Sequence, residues 1–183
     1  MANGTLKVSN IQTSSGSGTI TLGQSGETVN LSGAVGTGFP DNTPAWKMGM
    51  SGQQSLGYNT STKINFDTSI IDTDSGVDTT NKRYTIPSGK GGKYVVYCMY
   101  RTGTGTDSAS YDIFVYKNGS LLDNAEDMAA YTVNQSYNII QCTGMLDLSA
   151  GDYLELYARH DDANNQDMDA QVTRFWAFKL VGV

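Results

Sequence analysis

The sequence predicts an all-β protein whose main domain is a jelly-roll sandwich. Its 183 residues include 21 glycines and only 3 prolines, and 16% of them are charged. Threonine, tyrosine, valine and asparagine are abundant while leucine, glutamate and lysine are sparse, a composition that favours strands joined by tight turns over helices. After residue 40, short apolar runs alternate with turn signals about as often as a jelly roll of about eight strands requires. No amphipathic helical pattern is visible.

The candidate strands of this domain follow one another in order. A strand around Trp46 comes first, and a long aromatic run opens at Tyr94. Asn118–Gly119 separates two apolar runs and predicts a two-residue hairpin turn. In 153–160, leucine and alanine alternate with larger or charged residues, which predicts one core face and one solvent-facing side that includes Glu155. The predicted strands are 45–50, 63–66, 83–86, 94–101, 110–117, 128–133, 137–148, 153–160 and 172–181.

The charge balance and the apolar pattern argue against several partners. A formal net charge of −6 disfavours nucleic acid and anionic membranes. The longest apolar runs are too short to insert into a membrane, and the N-terminus lacks the pattern of a signal peptide. Cys98 and Cys142 lie in apolar strand-like runs, so a pair of free buried thiols is favoured, while a disulfide between them stays open.

The first 38 residues differ in composition from the rest. Glycine, serine and threonine dominate, and there is no aromatic residue and no proline. A tetrad of threonine, an apolar residue, a variable residue and a second apolar residue recurs at 5–8, 19–22 and 28–31. Residues 1–38 are therefore predicted to form a β arm for attachment or a trimeric stalk, followed by a head domain at 39–183. The apolar residues of the arm tetrads are Leu6, Val8, Ile20, Leu22, Val29 and Leu31.

Four segments of the head occur in the order found in one known family. The first joins Phe66 and Asp67 to the strand end at 84–87 and to the Gly-Lys-Tyr of 92–94. The others are VYKNGSLL at 115–122, the Leu-x-x-Gly-Asp-x-Leu-x-Leu of 148–156, and FWAFKL at 175–180. Together they resemble the jelly-roll heads of the complement C1q and tumour necrosis factor (TNF) family over roughly residues 43–182, with Ala177 where the family has glycine.

This resemblance implies a homotrimer in which aromatic strands pack about a three-fold axis. It also implies that both chain termini lie at the base of the trimer, with the loop before the last strand at the opposite end. The arm is similar to segments that precede such heads in bacteriophage fibre-type virion proteins, which implies that it anchors the trimer to a particle. The aromatic residues expected in the trimer interface or the core are Tyr94, Tyr97, Tyr100, Phe175, Trp176 and Phe178.

Sequence patterns for catalysis are sparse. His160 is the only histidine and no Gly-x-Ser-x-Gly motif accompanies it, so a serine hydrolase triad is not supported. Cys98 and Cys142 form no Cys-x-x-Cys motif, so the sequence offers too few suitable ligands for a typical zinc site. The glycine-rich pieces do not precede a helix and are interpreted as turns rather than phosphate loops. We therefore expect no enzymatic activity, and a surface or capping role for His160.

Two acidic clusters make calcium a candidate ligand. Residues 72–78 begin like a calcium loop but lack its distal glutamate and its sixth-position glycine. Residues 161–169 gather carboxylate and amide oxygens on one predicted loop, and three such loops at a trimer tip would repel one another without a cation. A solvated acidic loop is the favoured alternative, so the expected cofactor is none or calcium. The candidate ligands are Asp72, Asp74, Asp78, Asp161, Asp162, Asp167 and Asp169.

The sequence as a whole predicts a bacteriophage structural protein on the virion surface, assembled in the cytoplasm of the bacterial host. Its head would be a short-fibre tip that contacts a glycan or protein of the host surface, or a capsid decoration or head-fibre protein that reinforces the shell. A lectin-like module is the third alternative, with Tyr58 and Tyr131 as loop candidates for carbohydrate contact. The expected partners are further copies of the chain, other virion proteins through the arm, and the host surface.

Overall fold

The computed structural model describes residues 43–103, 109–122 and 137–180, all of which belong to one compact unit. All thirteen elements of regular secondary structure in these ranges are β-strands. No helix there is long and apolar enough to cross a membrane. The predicted arm at 1–38 and the predicted strand at 128–133 lie outside the described residues. The strands are β1 (Ala45–Gly49), β2 (Gln54–Leu56), β3 (Thr62–Lys63), β4 (Thr68–Asp72), β5 (Val77–Asp78), β6 (Arg83–Thr85), β7 (Gly92–Thr102), β8 (Tyr111–Lys117), β9 (Ser120–Leu121), β10 (Asn138–Leu148), β11 (Tyr153–His160), β12 (Gln166–Met168) and β13 (Arg174–Lys179).

These strands form two antiparallel sheets. In the first sheet β7 is central, with β10 along one edge and β13 and β12 along the other. From β13 the first sheet continues through β1 to β4, while β12 also pairs with β2. In the second sheet β11 lies between β8 and β6, with β9 and β5 beyond them, and β3 also pairs with β11. Two antiparallel sheets without a helix in the described ranges confirm the predicted all-β fold class.

The core lies between the two sheets, because alternation along each strand turns every second side chain inward. Trp46 of β1 stacks on Tyr84 of β6 across the core, with ring centroids 4.4 Å apart. The same indole meets Phe175 of β13 edge-on at 4.6 Å. All three side chains are buried, and burial of a Phe-sized side chain contributes roughly 1.5–3 kcal/mol. This aromatic cluster therefore ties one sheet to the other.

The long strands agree with the sequence analysis, as do the shorter β1 and β6, whereas several other short strands do not. The Asn118–Gly119 turn joins β8 to β9 with φ angles of 54° and 79°, as the predicted hairpin requires. The predicted strand at 63–66 is wrong beyond Lys63, because the chain turns there and the N–H of Phe66 donates to the Ile64 carbonyl. The strands β2, β4, β5 and β12 were not predicted, since such short pairings leave little periodic signal.

Two side chains predicted at the surface are buried. His160 is 0% exposed at the end of β11, where its Nε2 lies 2.9 Å from the carbonyl oxygen of Leu56. Glu155 is 7% exposed and pairs with the Lys63 ammonium at 2.5 Å. His160 shares the alternation of Leu154, Leu156 and Ala158, which turns it into the core. Glu155 lies on the other side of β11 and is covered because Lys63, in the neighbouring strand β3, pairs with it. That contact depends on tertiary structure and leaves no local pattern.

Candidate functional site

The outer face of the first sheet carries a contiguous group of apolar side chains. Alternation along β7 buries every second residue in the core and leaves Val95, Tyr97 and Met99 half-buried on the other side of the sheet. The same alternation turns Trp176 of β13 outward and leaves Met145 of β10 at 65% exposure. Apolar side chains thus lie on both faces of this sheet, although only one face packs in the core.

Strand register brings these outward side chains next to one another. Trp176 lies opposite Tyr97, and the two rings stack with centroids 5.0 Å apart. Phe178, 38% exposed, continues the stack at 6.1 Å from Trp176. One row along the sheet, Val95 lies opposite both Phe178 and Met145. We call this group the aromatic face, and it consists of Ile71, Val95, Tyr97, Met145, Trp176 and Phe178.

A shallow recess of about 290 Å³ opens on the aromatic face where β1 meets β13. The register places Lys47 between Ile71 of β4 and Trp176 of β13, and all three side chains line the recess. The exposed thioether of Met145 lies on the other side of the rings. This combination of a recess and protruding apolar side chains can exclude water against a complementary surface, which is the chemistry of an interface.

Tyr97 supplies a fixed polar contact on the aromatic face. Its hydroxyl donates to Oε1 of Gln141 on β10 at 2.9 Å. Burial raises the pKa of the Tyr97 phenol, so that it stays protonated and continues to donate at neutral pH. The hydrogen bond holds the ring in the position in which it stacks on Trp176.

The structure divides the predicted aromatic residues between two places. Tyr94, Tyr100 and Phe175 are 0% exposed and belong to the core. Tyr97, Trp176 and Phe178 lie on the aromatic face. The sequence analysis missed Ile71 and Met145. Met145 could have been found, because it is three residues beyond the inward Cys142 and alternation in β10 therefore turns it outward. Ile71 could not, because it lies in β4, a strand that the sequence did not predict.

The three aspartates of residues 72–78 contact protein donors rather than one another. Asp72 accepts the backbone N–H groups of residues 76 and 77 at 3.0 Å each. Asp74 pairs with the Lys90 ammonium at 3.0 Å. Asp78 accepts hydrogen bonds from the turn that follows it. These contacts fix the β4–β5 and β5–β6 turns.

The aspartates of residues 161–169 are likewise distributed among separate partners. Asp161 accepts a backbone N–H just before β8. Asp162 is 1% exposed and accepts the Tyr111 hydroxyl at 3.0 Å, and Asp169 pairs with an arginine of β7. Asp167 is exposed on β12. Within residues 43–103, 109–122 and 137–180, no three carboxylate, histidine or cysteine side chains are placed to hold one metal ion.

Calcium binding at these two clusters stays a prediction. A cation that binds only the folded protein raises its thermal unfolding midpoint. A higher midpoint in calcium than in a chelator would support the prediction, and equal midpoints would contradict it.

The histidine and the two cysteines are buried away from solvent. His160 stacks on Tyr111, with ring centroids 5.9 Å apart, and its Nδ1 has no hydrogen-bond partner in the described part of the chain. Cys98 and Cys142 are not joined by a disulfide; they lie opposite each other in the core, in β7 and β10, with their sulfur atoms 2.9 Å apart. Since 0% of His160 is exposed, a substrate in solvent has no access to its ring.

Comparison with known proteins gives the fold a name. No protein-family model and no curated protein matches the sequence. Among solved structures, the globular domain of a zebrafish complement 1qA protein matches 75% of this chain and 98% of its own length, at 12% identity and a TM-score of 0.50. The fold is a jelly roll of the C1q and TNF type.

Two TNF-family structures extend the comparison. Eiger TNF from S. frugiperda covers 74% of this chain and 90% of its own length, at 15% identity and a TM-score of 0.50. Murine APRIL covers 74% of this chain and 98% of its own length, at 14% identity and the same TM-score. At these identities the likeness concerns the fold, and it confirms the C1q/TNF-type jelly roll that the four sequence segments predicted.

Proposed function

We propose that this chain is a non-enzymatic structural protein whose head assembles into a homotrimer through the aromatic face. The observation that carries the proposal is that one sheet is apolar on both sides. Its inner side packs against the second sheet, while the stacked rings of Tyr97 and Trp176 and the exposed Met145 and Phe178 remain on its outer side. Contiguous exposed apolar side chains of this kind are typical of protein interfaces.

A three-fold arrangement is favoured over a dimer by the fold. The resemblance of the sequence to C1q and TNF heads implies aromatic strands about a three-fold axis, and we assign that position to β7 and β13, which carry Tyr97 and Trp176.

Light scattering of the purified protein tests the trimer. The expected molar mass is three times the 19.7 kDa of one chain, and a species of 19.7 kDa at micromolar concentration would contradict the proposal. An interface of this kind buries apolar surface, so its dissociation by dilution should expose that surface to a hydrophobic dye.

Burial of the single histidine supports the non-enzymatic part of the proposal. Nε2 of His160 contacts the Leu56 carbonyl, and the hydroxyl of the adjacent Tyr111 is engaged with Asp162. A general base needs to reach the proton of a bound substrate, and these groups are engaged inside the core.

The virion role rests on the composition and resemblance of the arm at 1–38. In this narrower proposal the arm attaches a trimer to a bacteriophage particle, and the head either contacts the host surface as the tip of a short fibre or reinforces the shell as a decoration protein. Imaging of intact particles labelled with an antibody against the head distinguishes the two, since label at capsid three-fold positions contradicts the fibre tip. Absence of label from every particle would contradict the virion role altogether.

A further inference from the structure

A polar hollow of about 390 Å³ lies at the end of the first sheet where β7 ends and β10 begins. Its volume falls in the range of about 300–1,000 Å³ that small-molecule sites occupy. Unlike the recess on the aromatic face, it is lined by an aromatic ring together with several amides and carboxylates. The lining side chains that matter below are Gln53, Tyr137, Asn164, Asn165, Gln166 and Asp167.

The ring of Tyr137 is exposed yet held in place. It is 54% exposed at the start of β10. The guanidinium of Arg101 lies over one of its faces, 4.4 Å from the centroid, and Arg101 is itself paired with Asp169. A cation over one face holds the ring in place before any ligand binds. Little entropy is then lost in ordering the ring when a ligand packs on it. Tyr137 is thus a preordered apolar platform at the edge of a polar site.

Gln166 is a largely buried residue that lines the hollow. It is 6% exposed, in the short strand β12, and its side chain makes no hydrogen bond to any described residue. Because the Gln166 side chain lines the hollow, a polar molecule bound there would satisfy it.

The loop before β12 adds donors and acceptors to the hollow. The backbone N–H of Asn164 donates to Asp162 at 3.0 Å, which orders the loop and leaves the side-chain amide of Asn164 available. The side chains of Asn165 and Asp167 are exposed, and among the described residues they have no hydrogen-bond partner. An amide both donates and accepts, whereas a carboxylate only accepts.

We propose that the polar hollow binds an uncharged sugar unit. Neighbouring hydroxyl groups of a sugar each donate and accept, which matches Gln166, Asn165 and Asp167, and the apolar C–H face of the ring matches the platform of Tyr137. A net charge of −6 and the carboxylate of Asp167 disfavour an anionic sugar. The proposed function includes contact of the head with a host surface, and this inference rests on that function. The hollow would supply the class of ligand for that contact.

Saturation-transfer NMR with the full-length protein tests the site. The probes are reducing glucose, galactose, mannose, rhamnose and N-acetylglucosamine, each beside its methyl glycoside. Transfer to at least one methyl glycoside is expected, since a glycan unit lacks a free reducing end. Transfer to reducing sugars alone would indicate free sugar as the source and still support the hollow as a sugar site. Transfer to none of the probes would overturn the proposal.

Three variants locate the binding. Tyr137→Ala is expected to lower the affinity for the best-binding probe roughly tenfold or more, because the aromatic platform is lost. Tyr58→Ala is the matched control, because Tyr58 is 56% exposed but does not line the hollow, and its binding should equal that of the unaltered protein. If Tyr58→Ala weakens binding and Tyr137→Ala does not, the site lies elsewhere and the proposal is wrong.

Gln166→Met separates a binding role from a structural one. Methionine has a similar shape but cannot form the hydrogen bonds of the amide, so this variant should unfold at a similar temperature and yet lose most of its affinity for the probe. A variant that keeps its affinity would contradict the role of Gln166. Light scattering of the same samples is independent of sugar: a trimer without binding refutes the site alone, and a monomer with binding refutes the trimer alone.

Discussion

Gly76 is a position where the fold requires a single residue type for steric reasons. A Cβ atom there would lie 2.5 Å from the Thr85 carbonyl oxygen and 2.5 Å from the ring of Tyr84. Gly76→Ala is therefore expected to lower the free energy of unfolding by about 1–3 kcal/mol through overpacking. Urea unfolding measures it, with Gly52→Ala as the control, since a Cβ at residue 52 meets nothing within 4 Å. Equal midpoints for both variants would contradict the packing described here.

Asp152 couples stability to pH at the turn before β11. Burial opposes its ionisation, but hydrogen bonds from Lys117, Asn118 and Ser149 outweigh that effect and lower the pKa of Asp152 to about 2. In the unfolded chain the carboxyl titrates near 3.8. The stabilisation is therefore present above about pH 4 and is lost as the pH falls towards 2.

Asp152→Asn tests this coupling. At pH 5 the variant should be less stable than the unaltered protein, because it loses the charged hydrogen bonds to Lys117 and Ser149. The difference should shrink as the pH falls from 4 to about 2. Urea unfolding at several pH values measures it, and a difference that stays constant over this range would show that the Asp152 carboxylate is not the group responsible.

At the scale of elements, the pairing of β7 with β10 places two thiols in contact. Cys98 and Cys142 lie directly opposite each other, with sulfur atoms 2.9 Å apart. Oxidised glutathione should convert them into a disulfide in a mildly destabilising buffer, and it would take up the two hydrogen atoms as reduced glutathione. The oxidised protein is then denatured and treated with an alkylating reagent. Mass spectrometry should find neither cysteine alkylated, and the mass of the chain should be lower than that of the reduced chain by two hydrogen atoms.

The single variant Cys142→Ser provides the control for this oxidation. The chain then holds no second cysteine with which Cys98 could form a disulfide, so Cys98 should remain open to alkylation or carry glutathione. Full alkylation of both cysteines in the unaltered protein after oxidation would show that the thiols cannot approach closely enough to bond, contrary to the register of β7 and β10.

For the whole molecule, the trimer predicts a sharp difference between two exposed positions. Phe178→Glu places a charge in the aromatic face, and burial of an unpaired charge at an interface is costly, so the variant should be monomeric in light scattering. Leu121→Glu is the control, because Leu121 is 41% exposed but lies in β9 of the second sheet. A Phe178→Glu protein that remains a trimer would place the interface elsewhere.

The sequence by itself determined the class of fold and its long strands. Alternation along β7, β10 and β11 and the chemistry of Asn118–Gly119 are local properties, so they can be recognised without knowing what lies beside them. The four ordered segments then distinguished a C1q/TNF-type jelly roll from other sandwiches. The proposed role of the arm at 1–38 also rests on the sequence alone.

Only the tertiary structure decided which side chains are buried, exposed or brought together. It decided that the side of β7 carrying Tyr94 and Tyr100 is the core and that the side carrying Tyr97 is the aromatic face, and it covered Glu155 with Lys63 of β3. It also brought Tyr137 to Gln166, although two strands, β10 and β11, lie between them in the chain. The physical reason is that burial depends on which strands become neighbours, and that pairing is non-local, whereas sequence periodicity reports only the two sides of one strand.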